Sequence, residues 1–181
     1  NAEIEKKRQR WLQYHDQLTE GIPGLFPLYY GMKARVTEKI SYKLQILKHA
    51  PCTVVGWTLH PLEQDEEGVG ERALKYPPSC IYVKFEHADW KIHPNLEEGV
   101  FPLRPVAKKW VLNKQTNATV ERRGFQLIPD YACTAHLVQG MTLDRIMADC
   151  GDVMDAPNLK RMLAAYVAMS RVSKAVTLLI L

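Results

Sequence analysis

The segment Thr134–Thr142 reads TAHLVQGMT and gathers, within nine residues, two hydroxyls, an imidazole, a carboxamide and a glycine. Groups of this kind suit a phosphate ligand. The hydroxyls of Thr134 and Thr142 can donate without carrying charge, and Gly140 lets the backbone approach closely. Further on, AAYVAMSRV ends an apolar helical pattern with Arg171, and no acidic residue follows Asp155 in the chain. A permanently charged, planar guanidinium at a helix end serves either the helix dipole or an anion brought from elsewhere. Taken singly, His136 reads as a structural histidine, Ser170 as a hydroxyl tied back to a helix carbonyl, and Tyr166 and Met169 as core.

The elements that must position these groups lie in the last third. FQLIPDYACTAH reads as a strand broken or bent at Pro129, TLDRIMADC as a second strand, DAPNLKRMLAAYVAMSR as a helix and AVTLLIL as a third strand. In the helix, Asp155 is placed to cap and Pro157 is tolerated in the first turn. Leu159, Met162, Leu163, Tyr166 and Val167 then form a stripe expected to pack on a sheet. AVTLLIL is almost continuously apolar, which predicts a strand covered on both faces, the habit of parallel sheets joined by crossover helices. Ligands of such sheets sit at the carboxyl ends of the strands. The loop 134–142 follows one strand and Arg171 ends the helix beside it, so both are expected at one edge.

Upstream, residues 2–18 carry an amphipathic pattern that GIPG ends. Leu25 to Ile40 turns strand-like. Between Pro51 and Gln126 come the short runs CTVVGWTL, SCIYVKFE, FPLRPV and KKWVL, separated by proline, glycine and acidic turns. Such spacing predicts a small antiparallel sheet or barrel. The expected fold class is α/β: a partial parallel sheet with helices, carrying a β-rich, barrel-like insertion. The expected divisions are an N-terminal helix and strand over 1–45, the insertion over 46–124, and a strand-helix-strand unit over 125–181.

Composition narrows the function classes. The 181 residues can bury a real core, and the net charge of +4 is mild. The charge is uneven. Lys6, Lys7, Arg8 and Arg10 cluster in EKKRQR, Arg122 and Arg123 are adjacent, and DEE at Asp65 to Glu67 reads as an acidic loop. A basic cluster on a helix is either a solvated face or a phosphate contact. Cys52, Cys80, Cys133 and Cys150 form no C-x-x-C pair, and His87 and His93 are too loosely spaced for a metal site, so free thiols and no metal are expected. No apolar run is long enough to cross a bilayer and no signal segment opens the chain, which points to an intracellular protein. Trp57, Trp90 and Trp110 read as packing residues. Asn1 is not an initiator methionine, and the chain is expected to be a piece of something longer.

YACTAHLVQGMTLD resembles the fifth conserved motif of superfamily-one helicases of the RecD and Pif type, and YVAMSRV resembles their sixth. LFPLYYGMKARVTEKI is similar to the segment leading from their second RecA-like domain into a small barrel insertion. The resemblance implies the C-terminal part of an ATP-dependent DNA helicase, moving 5′ to 3′, and with it DNA repair and recombination. It implies that Arg171 is an arginine finger, that Gln139 and Gly140 lie beside the nucleotide, and that Thr134, His136 and Thr142 lie near the phosphates of single-stranded DNA or shape the loop.

Two departures qualify the implied roles. Where many relatives carry Lys-Ser, this chain has Leu137 and Val138, which removes two polar contacts to the nucleic-acid backbone. The chain also lacks the G-x-x-x-x-G-K-[ST] phosphate loop and its acidic magnesium-binding partner. ATP with Mg²⁺ is therefore expected to be bound mainly by a P-loop domain absent from these residues, and the 181 residues alone are expected to hydrolyse no ATP. The competing expectation is an inactive, helicase-derived module that binds nucleic acid or protein. A third, a relative acting on RNA or within a conjugative or viral enzyme, uses the same motifs.

Overall fold

A computed structural model describes residues 2–15, 18–63, 70–113, 115, 117–151 and 158–180, without the side chains of Ala2, Asn113 and Val176. The acidic run 65–67 and the expected helix-starting residues Asp155 and Pro157 lie outside the described residues. The chain forms two compact units, Asn1–Tyr131 and Ala132–Leu181.

The first unit is built on short strands whose alternate residues turn inward. β1 (Lys33–Val36) buries Ala34 and Val36, β2 (Pro51–Thr58) buries Cys52 and Val54, and β3 (Cys80–Lys84) buries Ile81 and Val83. β4 (Val100–Leu103) contributes Val100 and Leu103. In β1 to β3 this is the period of two that a sheet with one covered face requires; β4 instead buries its two ends. β5 (Val106–Asn113) and β6 (Ala118–Gly124) form an antiparallel hairpin, and β7 (Leu127–Pro129) returns to the main sheet. The sheet is antiparallel throughout, in the order β4-β3-β2-β1-β7. Met32, Ile46, Phe85, Phe125 and Leu127 complete its core.

The expected antiparallel sheet is present, and its ending differs from the expectation. Pro129 does break the strand, but that strand belongs to the first unit and not to the last. The proline ends β7, whose residues pair with β1 at Ala34↔Pro129, Arg35↔Ile128 and Val36↔Leu127. Leu127 is wholly buried in the first unit's core, and that burial decides where the segment belongs.

α1 (Ala2–Leu12) is shorter than the amphipathic pattern suggested. Its end is held by close packing: a Cβ on Gly24 would lie 2.0 Å from the Leu12 carbonyl oxygen, so only glycine fits there. Arg122 finishes the job by donating to the carbonyls of Trp11 and Ile22, with its guanidinium over the buried Trp110 ring. Lys7 pairs with Glu3 and Arg8 with Glu5 on the exposed face of the helix.

In the second unit, β8 (Ile146–Ala148) and β9 (Leu178–Ile180) pair in parallel, and α2 (Leu159–Met169) lies between them in sequence. A strand-helix-strand order is thus present, but the parallel sheet among the described residues is two strands wide. AVTLLIL is not a fully covered strand. Ala175–Thr177 is a single 3-10 turn, and Leu179 and Ile180 of β9 are exposed. The α2 stripe is likewise uncovered: Leu159, Met162, Leu163 and Tyr166 are all exposed, although α2 touches β8. Tyr166 is therefore not a core residue in this chain. A three-residue ladder is too small to cover eleven residues of helix.

Candidate nucleic-acid and phosphate site

The loop that carries the proposed contacts is a run of consecutive turns. Leu137 N–H donates to Thr134 O at 3.0 Å, Gln139 N–H to His136 O at 3.4 Å, and Met141 N–H to Val138 O at 3.0 Å. Val138 is buried and Leu137 half-buried, so these two apolar residues anchor the loop. The remaining members face outward: Thr134, His136, Gln139, Gly140 and Thr142 are exposed. Among the described residues, no protein group receives the hydroxyl of Thr134 or Thr142. Gly140 has φ +81°, a left-handed conformation that side chains resist, and a Cβ there would meet nothing within 4 Å. Its glycine is required by backbone conformation, and the space above it is open to a ligand.

Arg171 is delivered by α2. The helix begins at Asn158, whose Oδ1 accepts from Arg161 N–H at 3.0 Å. That cap lies directly before Leu159, and the expectation centred on Asp155 passed over it. At the other end, Ser170 N–H donates to Tyr166 O and Arg171 N–H to Ala168 O, closing the last turn. Arg171 Nε donates to Val167 O at 2.9 Å and Nη2 to Ser170 Oγ at 2.8 Å, while Ser170 Oγ donates to Val167 O. The guanidinium thus complements the carbonyl end of its own helix.

It also reaches the loop. Arg171 Nη1 lies 3.4 Å from the Met141 carbonyl, between Gly140 and Thr142 in sequence. Leu143 N–H donates to Arg171 O at 2.8 Å, and Leu143 and Val172 form a parallel bridge. Backbone pairing therefore fixes the arginine beside the Gly140–Thr142 end of the loop. The opposite end, with Thr134 and His136, makes no such contact. Arg171 has no carboxylate within ion-pair distance among the described residues, and part of its five-donor fork stays available.

Among the described residues, no three His, Cys, Asp or Glu side chains gather as a metal site, and no helix is long and apolar enough to cross a membrane. The hydroxyls, the glycine and the arginine fit the oxygen atoms of a phosphate; nothing beside them offers Mg²⁺ a carboxylate cage. Of the cysteines, Cys52 and Cys150 are buried, Cys80 is intermediate and Cys133 is exposed. Burial pushes the Cys52 thiol up to about 12. Trp110 and Trp90 pack as expected, Trp90 donating to Leu44 O at 3.1 Å, whereas Trp57 is partly exposed.

One cluster escaped the sequence altogether. His60, Tyr76, Tyr82, Arg104 and Arg123 line a groove of about 750 Å³ in the first unit. They come from five separated segments that only the sheet register assembles. Neighbouring Arg122 and Arg123 part company because successive strand residues face opposite ways.

No family model matches the sequence, and no curated protein matches it. Solved structures do. Pif1 helicase from Candida albicans is 16% identical with a TM-score of 0.54, over 97% of this chain and 36% of that one. Bacteroides Pif1 bound to ssDNA is 15% identical with a TM-score of 0.51, over 99% of this chain and 38% of that one. Bacteroides Pif1 in complex with ADP-AlF3 and ssDNA is 14% identical with a TM-score of 0.52, over 99% and 38%. The chain spans little more than a third of the length of these helicases. It carries a fold found within Pif1 helicases, the branch that its two late motifs resemble.

Proposed function

We propose that this chain is the part of an ATP-dependent DNA helicase that supplies an arginine finger and strand contacts to a motor completed by a P-loop domain. The observation that carries this reading is the meeting of Arg171 with the Met141 carbonyl beside Gly140 and Thr142. It joins the two late motifs at one place, in a fold shared with Pif1 helicases.

In this reading the substrate is ATP with Mg²⁺, held mainly by the P-loop domain. Arg171 faces its terminal phosphate, where a fixed guanidinium offsets charge developing on the phosphoryl oxygens. Gln139 and Gly140 lie beside the nucleotide. Thr134, His136 and Thr142 face the single strand, their uncommitted donors suited to phosphate oxygens. The open α2 stripe is where the rest of a parallel, RecA-like sheet would lie. Cycles of hydrolysis then step the protein 5′ to 3′ along DNA inside the cell.

The test uses the polypeptide that carries both the P-loop domain and these residues. Arg171→Ala is expected to leave ATP binding largely intact and to cut turnover by about 10³ to 10⁵. Turnover that survives the change removes the finger role. Loss of the folded second unit instead assigns Arg171 to its helix end alone. The 181 residues by themselves are expected to hydrolyse no ATP; turnover there that persists in Arg171→Ala would falsify the shared-site reading.

A further inference from the structure

The groove in the first unit has a chemistry of its own. Its lining includes two guanidiniums, from Arg104 and Arg123, and no carboxylate. Several other cations of the sheet find acids: Lys33 meets Glu86, Arg35 meets Asp130, Lys84 meets Glu97, Lys108 meets Glu38 and Lys109 meets Glu121. Arg104 and Arg123 are exposed and have no such partner among the described residues. The groove is thus lined by two cations and no acid, a local surplus of positive charge.

Beside the arginines stands a flat apolar surface. The rings of His60 and Tyr76 stack with centroids 4.9 Å apart and 21° between their planes. His60 Nδ1 accepts from Leu62 N–H at 3.2 Å, which leaves the ring proton on Nε2 as a donor. Glu63 holds the far side of the stack in place: its two carboxylate oxygens accept from Lys75 N–H at 3.2 Å and Tyr76 N–H at 2.9 Å. Its negative charge is thereby committed to the backbone. Tyr82 and Thr58 share a hydroxyl hydrogen bond of 3.3 Å, and Ser79 donates to Leu59 O. Pro77, Pro78 and Pro105 stiffen the walls. These restraints order the groove before any ligand arrives, which lowers the entropy cost of binding.

We propose that this groove is a second seat for single-stranded nucleic acid, in which an unpaired base stacks on the His60–Tyr76 pair while flanking phosphates meet Arg104 and Arg123. Stacking platforms flanked by positive charge are the usual physics of sequence-tolerant single-strand binding. A duplex keeps its bases stacked on one another and offers the platform none. The seat goes beyond the helicase reading and does not depend on Arg171 or on the loop at 134–142.

The experiment is anisotropy titration of the 181-residue chain with a fluorescent oligothymidylate across a range of salt. The single strand is expected to bind more tightly than a duplex of the same length. Arg104→Ala with Arg123→Ala is expected to weaken binding at least tenfold and to reduce the log–log salt slope by about 1.4, the value for two phosphates of a single strand. Arg104→Lys with Arg123→Lys should keep the slope, and His60→Ala should weaken binding about tenfold at an unchanged slope. A Lys6→Ala, Lys7→Ala variant serves as the charge control. Equal loss in that control, an unchanged slope in the arginine-to-alanine pair, equal affinity for duplex, or absence of binding overturns the proposal. So does an acidic, proline-containing peptide that binds the groove when the oligonucleotide does not compete. Thr134→Ala with Thr142→Ala separates the two readings. Loss there with silent groove variants overturns the groove and leaves the helicase reading; loss in the groove variants alone supports the seat and removes the role given to the loop.

Discussion

The two units bury their apolar residues to opposite degrees. In the first, Met32, Ala34, Val36, Val54, Ile81, Val83 and Leu127 are wholly enclosed by a five-stranded antiparallel sheet and its covering loops. In the second, the helix is of equal length to α1 and far more apolar in sequence, yet it has no buried residue. The contrast teaches that an apolar stripe specifies only that cover is wanted. Whether cover is supplied depends on how many strands lie within reach. The first unit closes on itself, and the second keeps an open face.

The sharpest way to break this comparison is to truncate one leucine in each unit. Leu127→Ala is expected to cost about 2–5 kcal/mol, because it empties an enclosed site. Leu163→Ala, more than half exposed, is expected to stay within about 0.5 kcal/mol. Denaturant unfolding followed by Trp90 fluorescence reads the first, and helix circular dichroism reads the second. An equal loss in both would show that the α2 face is covered in solution.

A smaller effect separates two cysteines of similar exposure. Cys52, 3% exposed, belongs to the closed unit, and Cys150, 8% exposed, to the open one. Of these and the exposed Cys133, with a thiol reagent at pH 8, Cys133 is expected to react before Cys150, and Cys52 at least about tenfold more slowly than Cys150. Mass spectrometry of peptides at timed intervals gives the order. Cys52 ahead of Cys150 would reverse the ranking of the two units.

The mildest test concerns Glu63. Hydrogen bonds from the Tyr76 and Lys75 backbones hold its carboxyl below the ordinary 4.5. A depressed carboxylate contributes stability above its unfolded value and loses it as pH falls through the folded one. The Tyr76 amide resonance is therefore expected to titrate with a midpoint under 4.5 and to stop titrating in Glu63→Gln. A midpoint above 4.5 would mean that the loop is not tethered by this carboxylate.

Much of this was legible in the chain. Turn residues between short β-runs marked β2 to β5, periodicity marked α2, and the TAHLVQGMT pattern led to a loop whose Gly140 does take the left-handed conformation. Arg171 was expected near that loop and is found at Met141. The topology was less legible. β7 lies beside β1, although more than ninety residues separate them, and a three-residue strand has no local pattern that names its partner. The groove was invisible for the same reason, since His60, Tyr76, Arg104 and Arg123 become neighbours only after β3, β4 and β6 are in register. The cap at Asn158 could have been found, because asparagine directly before the first apolar residue of a helix is itself a start signal.

The Arg35–Asp130 pair gains a mechanical meaning from its position. Arg35 Nε lies 2.6 Å from Asp130 Oδ1, with both side chains more than four-fifths enclosed, and Asp130 N–H also donates to Lys33 O. Asp130 is the residue just after β7, and the chain passes into the second unit after Tyr131. Any tension on that connection arrives first at this rivet, on an edge strand secured by three paired residues. With the rivet in place, load is shared with β1 in the sheet. Without it, β7 would be held to β1 by its ladder and by the burial of Leu127 alone.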